Sequence, residues 1–156
     1  MALGWKLVFD AGDPHRQAVF WAEALGYQLE DNSVLIEQLL AAGTVGRELC
    51  VEFQGRLFWR DAAAVRHPDD PFDPLTGAGL GRRLLFNRVA GSKTEKNRLH
   101  VDIHAGHGEL EATVARLEKH GATLVRHVKE PGGEWSVLTD PEGNEFCVAQ
   151  AMPGAG

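Results

Sequence analysis

The sequence predicts an α+β fold built from two strand–helix–strand–strand–strand modules, a paired βαβββ arrangement. Three observations lead there. Near the N-terminus an alternating segment, a helix with clear start and stop signals and a second extended run follow one another, and the same order returns near residue 98. Each half then adds two more strand-like runs. Finally, 156 residues with 44% apolar and 24% charged side chains suit one well-cored domain rather than a disordered chain.

The elements follow in order. Residues 5–10 read as a strand. Asp13 is a natural N-cap and Pro14 suits the first helical position, so a helix runs from there to about Leu25 and stops at Gly26. Residues 27–30 are extended again. An insertion at 31–82 begins with Ser33 capping a helix whose Val34, Leu35, Leu39 and Leu40 form one stripe before Gly43. Residues 56–60 read as a strand, and Asp61 as the cap of a short alanine-rich turn. Pro68, Pro71 and Pro74, then Gly77, Gly79 and Gly81, forbid regular structure and make a long loop, either a lid or binding loop or a simply mobile one. The strand at 83–89 completes the first module, about 4–89, and 90–97 is a linker within a single domain spanning 1–156.

The second module, about 98–150, repeats the pattern. A strand at 99–104, a helix at 109–120 stopped by Gly121, and extended runs at 122–128, 134–139 and 145–150 follow, the last two joined by the turn Asp140-Pro141-Glu142-Gly143-Asn144. A shift of 95 residues places Val8 on Ile103, Val19 on Val114, Glu23 on Glu118, Gly26 on Gly121 and Leu29 on Leu124.

Composition excludes several functions. With 16 basic and 22 acidic residues, a net charge of −6, the chain lacks the basic surface of a general nucleic-acid binder. Cys50 and Cys147 make neither a disulfide framework nor a Cys-x-x-Cys knuckle. The first apolar stretch is too short for a secretory leader and ends in Asp10, and 34–43 is broken by Glu37 and Gln38. The expected location is therefore the cytoplasm, without a membrane partner. No dinucleotide or phosphate loop occurs, and Ser92 and Ser136 lack a nucleophile elbow.

The residues that carry chemistry lie on strands. Alternation along 99–104 puts Leu99, Val101 and Ile103 on one face and His100, Asp102 and His104 on the other. Trp5, Trp59, Phe86 and Trp135 also fall on strands, where they either fill the core or wall a pocket for a planar ligand. The run 93–98 is mildly basic, and reads as a solvated linker or as a guide for an anionic ligand.

The segment Phe20-Trp21-Ala22-Glu23-Ala24-Leu25-Gly26-Tyr27, the closing Asp140-Pro141-Glu142-Gly143-Asn144-Glu145-Phe146 and the stretches 83–89 and 93–102 resemble the vicinal oxygen chelate superfamily, in particular its glyoxalase-like domain branch. That superfamily holds glyoxalases, extradiol dioxygenases, fosfomycin-modifying enzymes and bleomycin-binding resistance proteins. The resemblance implies two curved mixed sheets around a cavity, with His100 at a metal-ligand position. It also implies an incomplete ligand set. The 95-residue shift puts Trp5 opposite His100, and Cys147 stands where a glutamate is usual. No cofactor is therefore expected; the alternative is a divalent metal on His100, Asp102 and Glu145, with Cys147 as a further donor.

The expected function is binding of a small aromatic or hydrophobic molecule by Trp5, Phe86, Asp102 and Trp135. His100 would orient the ligand, and Glu145 would hold its tautomer or act as a base. The alternative is a metal-dependent lyase, isomerase or dioxygenase using His100 and Glu145. Exposed sheet edges, together with the pairing of modules in related proteins, lead us to expect a homodimer.

Overall fold

The computed structural model describes residues 1–150. The chain divides into two compact units, one holding residues 1–22 and 26–91, the other 23–25 and the chain from Ser92 on.

The first unit contains β1 (Leu7–Ala11), α1 (Pro14–Leu25) except its last three residues, β2 (Gln28–Leu29), α2 (Ser33–Ala41), β3 (Cys50–Phe53), β4 (Arg56–Trp59), β5 (Ala62–Arg66) and β6 (Arg83–Arg88). Its sheet has the order β1-β6-β5-β2, with β1 and β6 parallel and the other pairs antiparallel. The start and stop signals of α1 work as the sequence indicates. Asp13 accepts a hydrogen bond from the Arg16 amide at 3.0 Å, and Gly26 caps the other end at φ +68°, a backbone state that costs glycine little. Beneath α1, Phe86 stacks on Phe9 with ring centroids 5.2 Å apart, and Phe9 meets Trp21 at 5.5 Å.

Two details of this module differ from the sequence reading. Its third strand is β5, the run expected to be an alanine-rich turn. Ala63, Ala64 and Val65 are buried there between β2 and β6, so sheet pairing overrides the helical preference of alanine. Asp61 caps no helix; it pairs with Arg60 and Arg88. The run at 56–60 supplies β4, which pairs with β3 in a separate two-stranded hairpin inside the insertion. That hairpin sets Phe53 and Phe58 against the His15 ring at 5.5 and 5.8 Å.

The proline-rich loop is tied down. Asn32 donates to the Thr76 carbonyl at 2.8 Å, and Asp70 accepts from the Arg82 amide, Nε and Nη2 at 2.6, 3.0 and 2.7 Å. Gly77 sits at φ +75°, where a Cβ would run into the Asp31 carbonyl, so both backbone angle and space demand glycine. The Arg82 contacts hold the Asp70 carboxyl well below the carboxylate range. Because the folded value is the lowered one, this clamp contributes fully above the ordinary carboxylate pKa and is lost as pH falls through the lowered value. Asp70→Asn should mimic that loss at neutral pH. Hydrogen exchange should show amides 67–82 of this variant opening faster than in the parent, and unchanged protection would refute the clamp.

The second unit contains β7 (Asp102–Ala105), α3 (Leu110–Lys119), β8 (Thr123–Glu130), β9 (Gly133–Thr139) and β10 (Glu145–Gln150), in the sheet order β7-β10-β9-β8. Strands β7 and β10 are parallel. Helix α3 packs on β8, β9 and β10. Leu110, Val114 and Leu117 are buried on the helix, and Leu138, Phe146 and Val148 on the sheet. The expected turn is held by Asp140, whose Oδ1 accepts from the amides of Glu142 and Asn144 at 2.9 and 3.0 Å.

The two units repeat each other in an α+β pattern of mixed sheets, as expected, but with a strand shift of 94 residues. Strand β1 ends in Phe9-Asp10-Ala11 before Gly12, and β7 in Ile103-His104-Ala105 before Gly106. The helix-stop glycines mislead here. Gly26 is itself the cap of α1, whereas α3 is capped by His120 and Gly121 follows one residue later. A slip of one residue exchanges the faces of a strand, so the counterpart of His100 is Lys6, not Trp5. No helix among the described residues is long and apolar enough to cross a membrane.

Candidate functional site

Strand register assembles a polar face on the side of the second sheet turned away from α3. Asp102 pairs with Cys147, Cys147 with Val137, and Val137 with Arg126, giving one row across the sheet. The adjacent row is His104, Ala149, Trp135 and Val128. Arg126 reaches the first row because the register shifts between Leu124 and Arg126, an irregularity of the bulge type. Simple alternation from the start of β8 does not reveal it.

His100 stands two residues before Asp102, and its Nε2 lies 3.3 Å from Asp102 Oδ1. Both side chains are about half exposed, at 49% and 51%. The donor atoms of His100, Asp102 and Cys147 all lie within 4.8 Å of one another. Burial pushes the Cys147 thiol pKa up, and the Asp102 carboxylate beside it adds to the rise; Arg126 and Lys96 act against it. Imidazole, carboxylate and thiol fit a divalent cation in kind. In spacing, a zinc ion with bonds of about 2.0–2.3 Å needs its donors roughly 3.5 Å apart, which modest side-chain rotation supplies. The equivalent positions of the first unit, Lys6, Val8 and Leu85, offer no such set.

Glu145 has other partners. It lies on the same face two residues before Cys147, but one oxygen accepts from Lys93 Nζ at 3.0 Å and the other from the Asn97 amide at 2.9 Å. These contacts hold its carboxyl down at about 2, the Asn97 amide being the largest cause. Glu145 thus anchors the segment read as a linker and does not join the donor cluster. Lys93 and Lys96 enter the neighbourhood through this anchoring, which residue spacing cannot reveal.

Among the aromatic residues proposed as walls, Trp135 lies on this face and is half-buried. Phe86 is fully buried at 0% exposure, stacked on Phe9 beneath α1, so it serves the core of the first unit. Trp5 is 86% exposed in the segment before β1. A chain of hydrogen bonds not anticipated from sequence joins Ser136 Oγ to His127 Nδ1 and His127 Nε2 to Glu134 Oε1, each at 3.0 Å. It has the composition of a nucleophile triad, yet Ser136 is only 3% exposed, so the group acts as a structural network.

Known proteins share this architecture. A fosfomycin resistance protein, FosX, from Mesorhizobium loti superposes with a TM-score of 0.59 at 13% identity, over 98% of this chain and 95% of that one. A FosX variant from Listeria monocytogenes, solved with Mn(II) and 1S,2S-dihydroxypropylphosphonic acid, gives a TM-score of 0.60 at 8% identity over 98% and 95%. A glyoxalase/bleomycin resistance protein/dioxygenase family enzyme from Burkholderia phytofirmans gives 0.58 at 16% identity over 94% and 97%. At these identities the likeness shows the fold alone. Comparison with curated proteins gives no match. Residues 6–149 match the family described as the glyoxalase-like domain. With that match across nearly the whole chain and the repeated βαβββ pattern, the protein belongs to the glyoxalase-like domain family of the vicinal oxygen chelate superfamily.

Proposed function

We propose that this protein binds a small, apolar or aromatic molecule on the second sheet's face turned away from α3, with His100 as the polar anchor and Trp135 as ring surface. The observation that carries this reading is the convergence of half-exposed His100 and Asp102 with Cys147 on one sheet face. The opposite face is closed by α3 over a buried apolar core.

The geometry also gives the ligand a polarity. His100 Nε2 lies 3.3 Å from Asp102 Oδ1, and an imidazole whose Nε2 faces that carboxylate leaves Nδ1 for the ligand. A ligand hydroxyl or N–H is the matching donor, so phenols and aromatic amides are the fitting class. Asp102 takes over the orienting role first given to Glu145. His100→Ala should weaken a binder selected from a panel of such compounds by about 1–2 kcal/mol, the scale of one lost hydrogen bond. Tryptophan fluorescence titration reads this, and an unchanged affinity would remove His100 from the site.

The donor cluster favours a second reading, a metal-dependent lyase, isomerase or dioxygenase in which His100, Asp102 and Cys147 hold the ion. Bound there, a divalent cation would act as a Lewis acid toward a substrate oxygen. Metal analysis of protein purified without chelators discriminates the two readings, since the second requires an ion that His100→Ala removes.

A further inference from the structure

We infer that the ligand carries a carboxylate at its end away from His100, and that Arg126, helped by Lys96, binds this anion. This rests on the reading that the sheet face turned away from α3 is the binding surface, and it adds the ligand's charge and its orientation. The fitting class is an aromatic acid with a phenolic hydroxyl at one end of the ring and a carboxylate at the other.

Three observations support it. First, Arg126 occupies this face only because the register shifts between Leu124 and Arg126. Leu124 pairs with Leu138, which is buried on the α3 side, and unbroken alternation would send Arg126 the same way. Irregularities of this type re-aim side chains, and here the side chain re-aimed is a guanidinium.

Second, cations are in surplus on this face. Lys93 is spent on Glu145, His100 faces Asp102, and His127 and Lys129 share Glu134. Arg126 and Lys96 are exposed and form no salt bridge among the described residues. Lys96 is held nearby, because Glu145 pins the Lys93 ammonium and the Asn97 amide on either side of it. Both cations act on the Cys147 thiol, against the rise in its pKa, so their charge reaches the middle of the face. Against them stands the one carboxylate of Asp102, which leaves this face positive in a chain of net charge −6.

Third, the spacing suits one substituted ring. His100 stands just ahead of β7, and Arg126 lies on β8, the opposite edge strand of the sheet. Three strand spacings separate those edges, about 14 Å between backbones, which an imidazole at one end and a long guanidinium stem at the other shorten. Trp135 lies on β9, between them. A guanidinium meets a carboxylate through two parallel N–H···O bonds, which a neutral amide cannot match in strength.

Calorimetric titration of the full-length protein with para-hydroxybenzoate and with its neutral counterpart, para-hydroxybenzamide, tests this. The parent should bind the acid about 10-fold or more tightly than the amide, the scale of a charge-assisted pair. Arg126→Gln should remove that preference and leave the amide's affinity within about 2-fold, while Arg126→Lys should keep part of the preference. Lys96→Gln should narrow it by a smaller factor, about 2- to 3-fold, and added salt should weaken the acid but not the amide.

Equal affinity for acid and amide in the parent, a preference that survives Arg126→Gln, or an amide weakened as much as the acid by that change would each overturn the inference. Failure of the underlying reading looks different. If acid and amide bind equally and His100→Ala weakens both, the face binds the ring and only the anion site is wrong. If neither compound binds the parent at millimolar concentration, or His100→Ala changes neither affinity, the face itself is not the site and the anion site falls with it.

Discussion

Arg83→Met should destabilise the protein by about 3–5 kcal/mol, the largest effect expected of any single charged side chain in the first unit. Glu30 is 2% exposed, and its carboxylate accepts from Arg83 Nε at 2.7 Å and Nη2 at 2.6 Å. A third bond comes from the Gly79 amide at 2.8 Å. The bidentate pair joins the chain just after β2 to the start of β6, while Gly79 brings the proline-rich loop to the same point. Removing the guanidinium leaves a buried carboxylate with one amide to satisfy it. That penalty exceeds what the pair gains over an apolar replacement, so the double variant Glu30→Met with Arg83→Met should recover most of the loss. Urea unfolding of the two single variants and the double closes the cycle. A cost under about 1 kcal/mol for Arg83→Met would show that the pair is solvated and weak.

This buried pair marks a boundary in what the sequence discloses. Local signals translate directly into structure. Asp13-Pro14 starts α1, Gly26 stops it, and Asp140 to Asn144 turns β9 into β10, because each depends only on neighbours. Elements whose state is decided by distant partners are read less well. Ala62–Arg66 is a strand because β2 and β6 lie on either side, which an alanine run does not announce.

The same division runs through the candidate site. Two-residue spacing places His100, just ahead of β7, beside Asp102 at its start, and family pattern marks Cys147 as a departure. Sequence reading takes Cys147 as a departure from the usual glutamate and, in the metal alternative, as a further donor beside Glu145; pairing of β10 with β7 places its sulfur beside His100 and Asp102. Glu145 was the natural partner for His100 by residue type. Its claim fails because Lys93 and Asn97, 52 and 48 residues away in the chain, reach it first. Trp5 is matched to His100 through two glycines, one the cap of α1 and the other one residue beyond the cap of α3, and strands do not tolerate that slip.

Phe86→Ala separates core from pocket wall, and should cost about 3–5 kcal/mol in stability. Phe86 is fully buried, stacked on Phe9 at 5.2 Å, and Phe9 in turn meets Trp21 at 5.5 Å. Truncation deletes the ring at the sheet end of this column and leaves a cavity beneath α1, where sheet and helix are both fixed by their own hydrogen bonds and collapse only partly. Phe86→Leu refills most of that volume and should cost well under half as much. A pocket wall would behave in the opposite way, since its removal exposes no new apolar core and stability would change by about 0.5 kcal/mol or less. The aromatic binder supplies the second measurement. At temperatures where Phe86→Ala is still folded, it should bind with the parent affinity, while Trp135→Ala, on the sheet face with His104 and Ala149, should bind at least about 10-fold more weakly. Loss of binding in folded Phe86→Ala, with stability unchanged, would return Phe86 to the ligand site and move that site into the first unit.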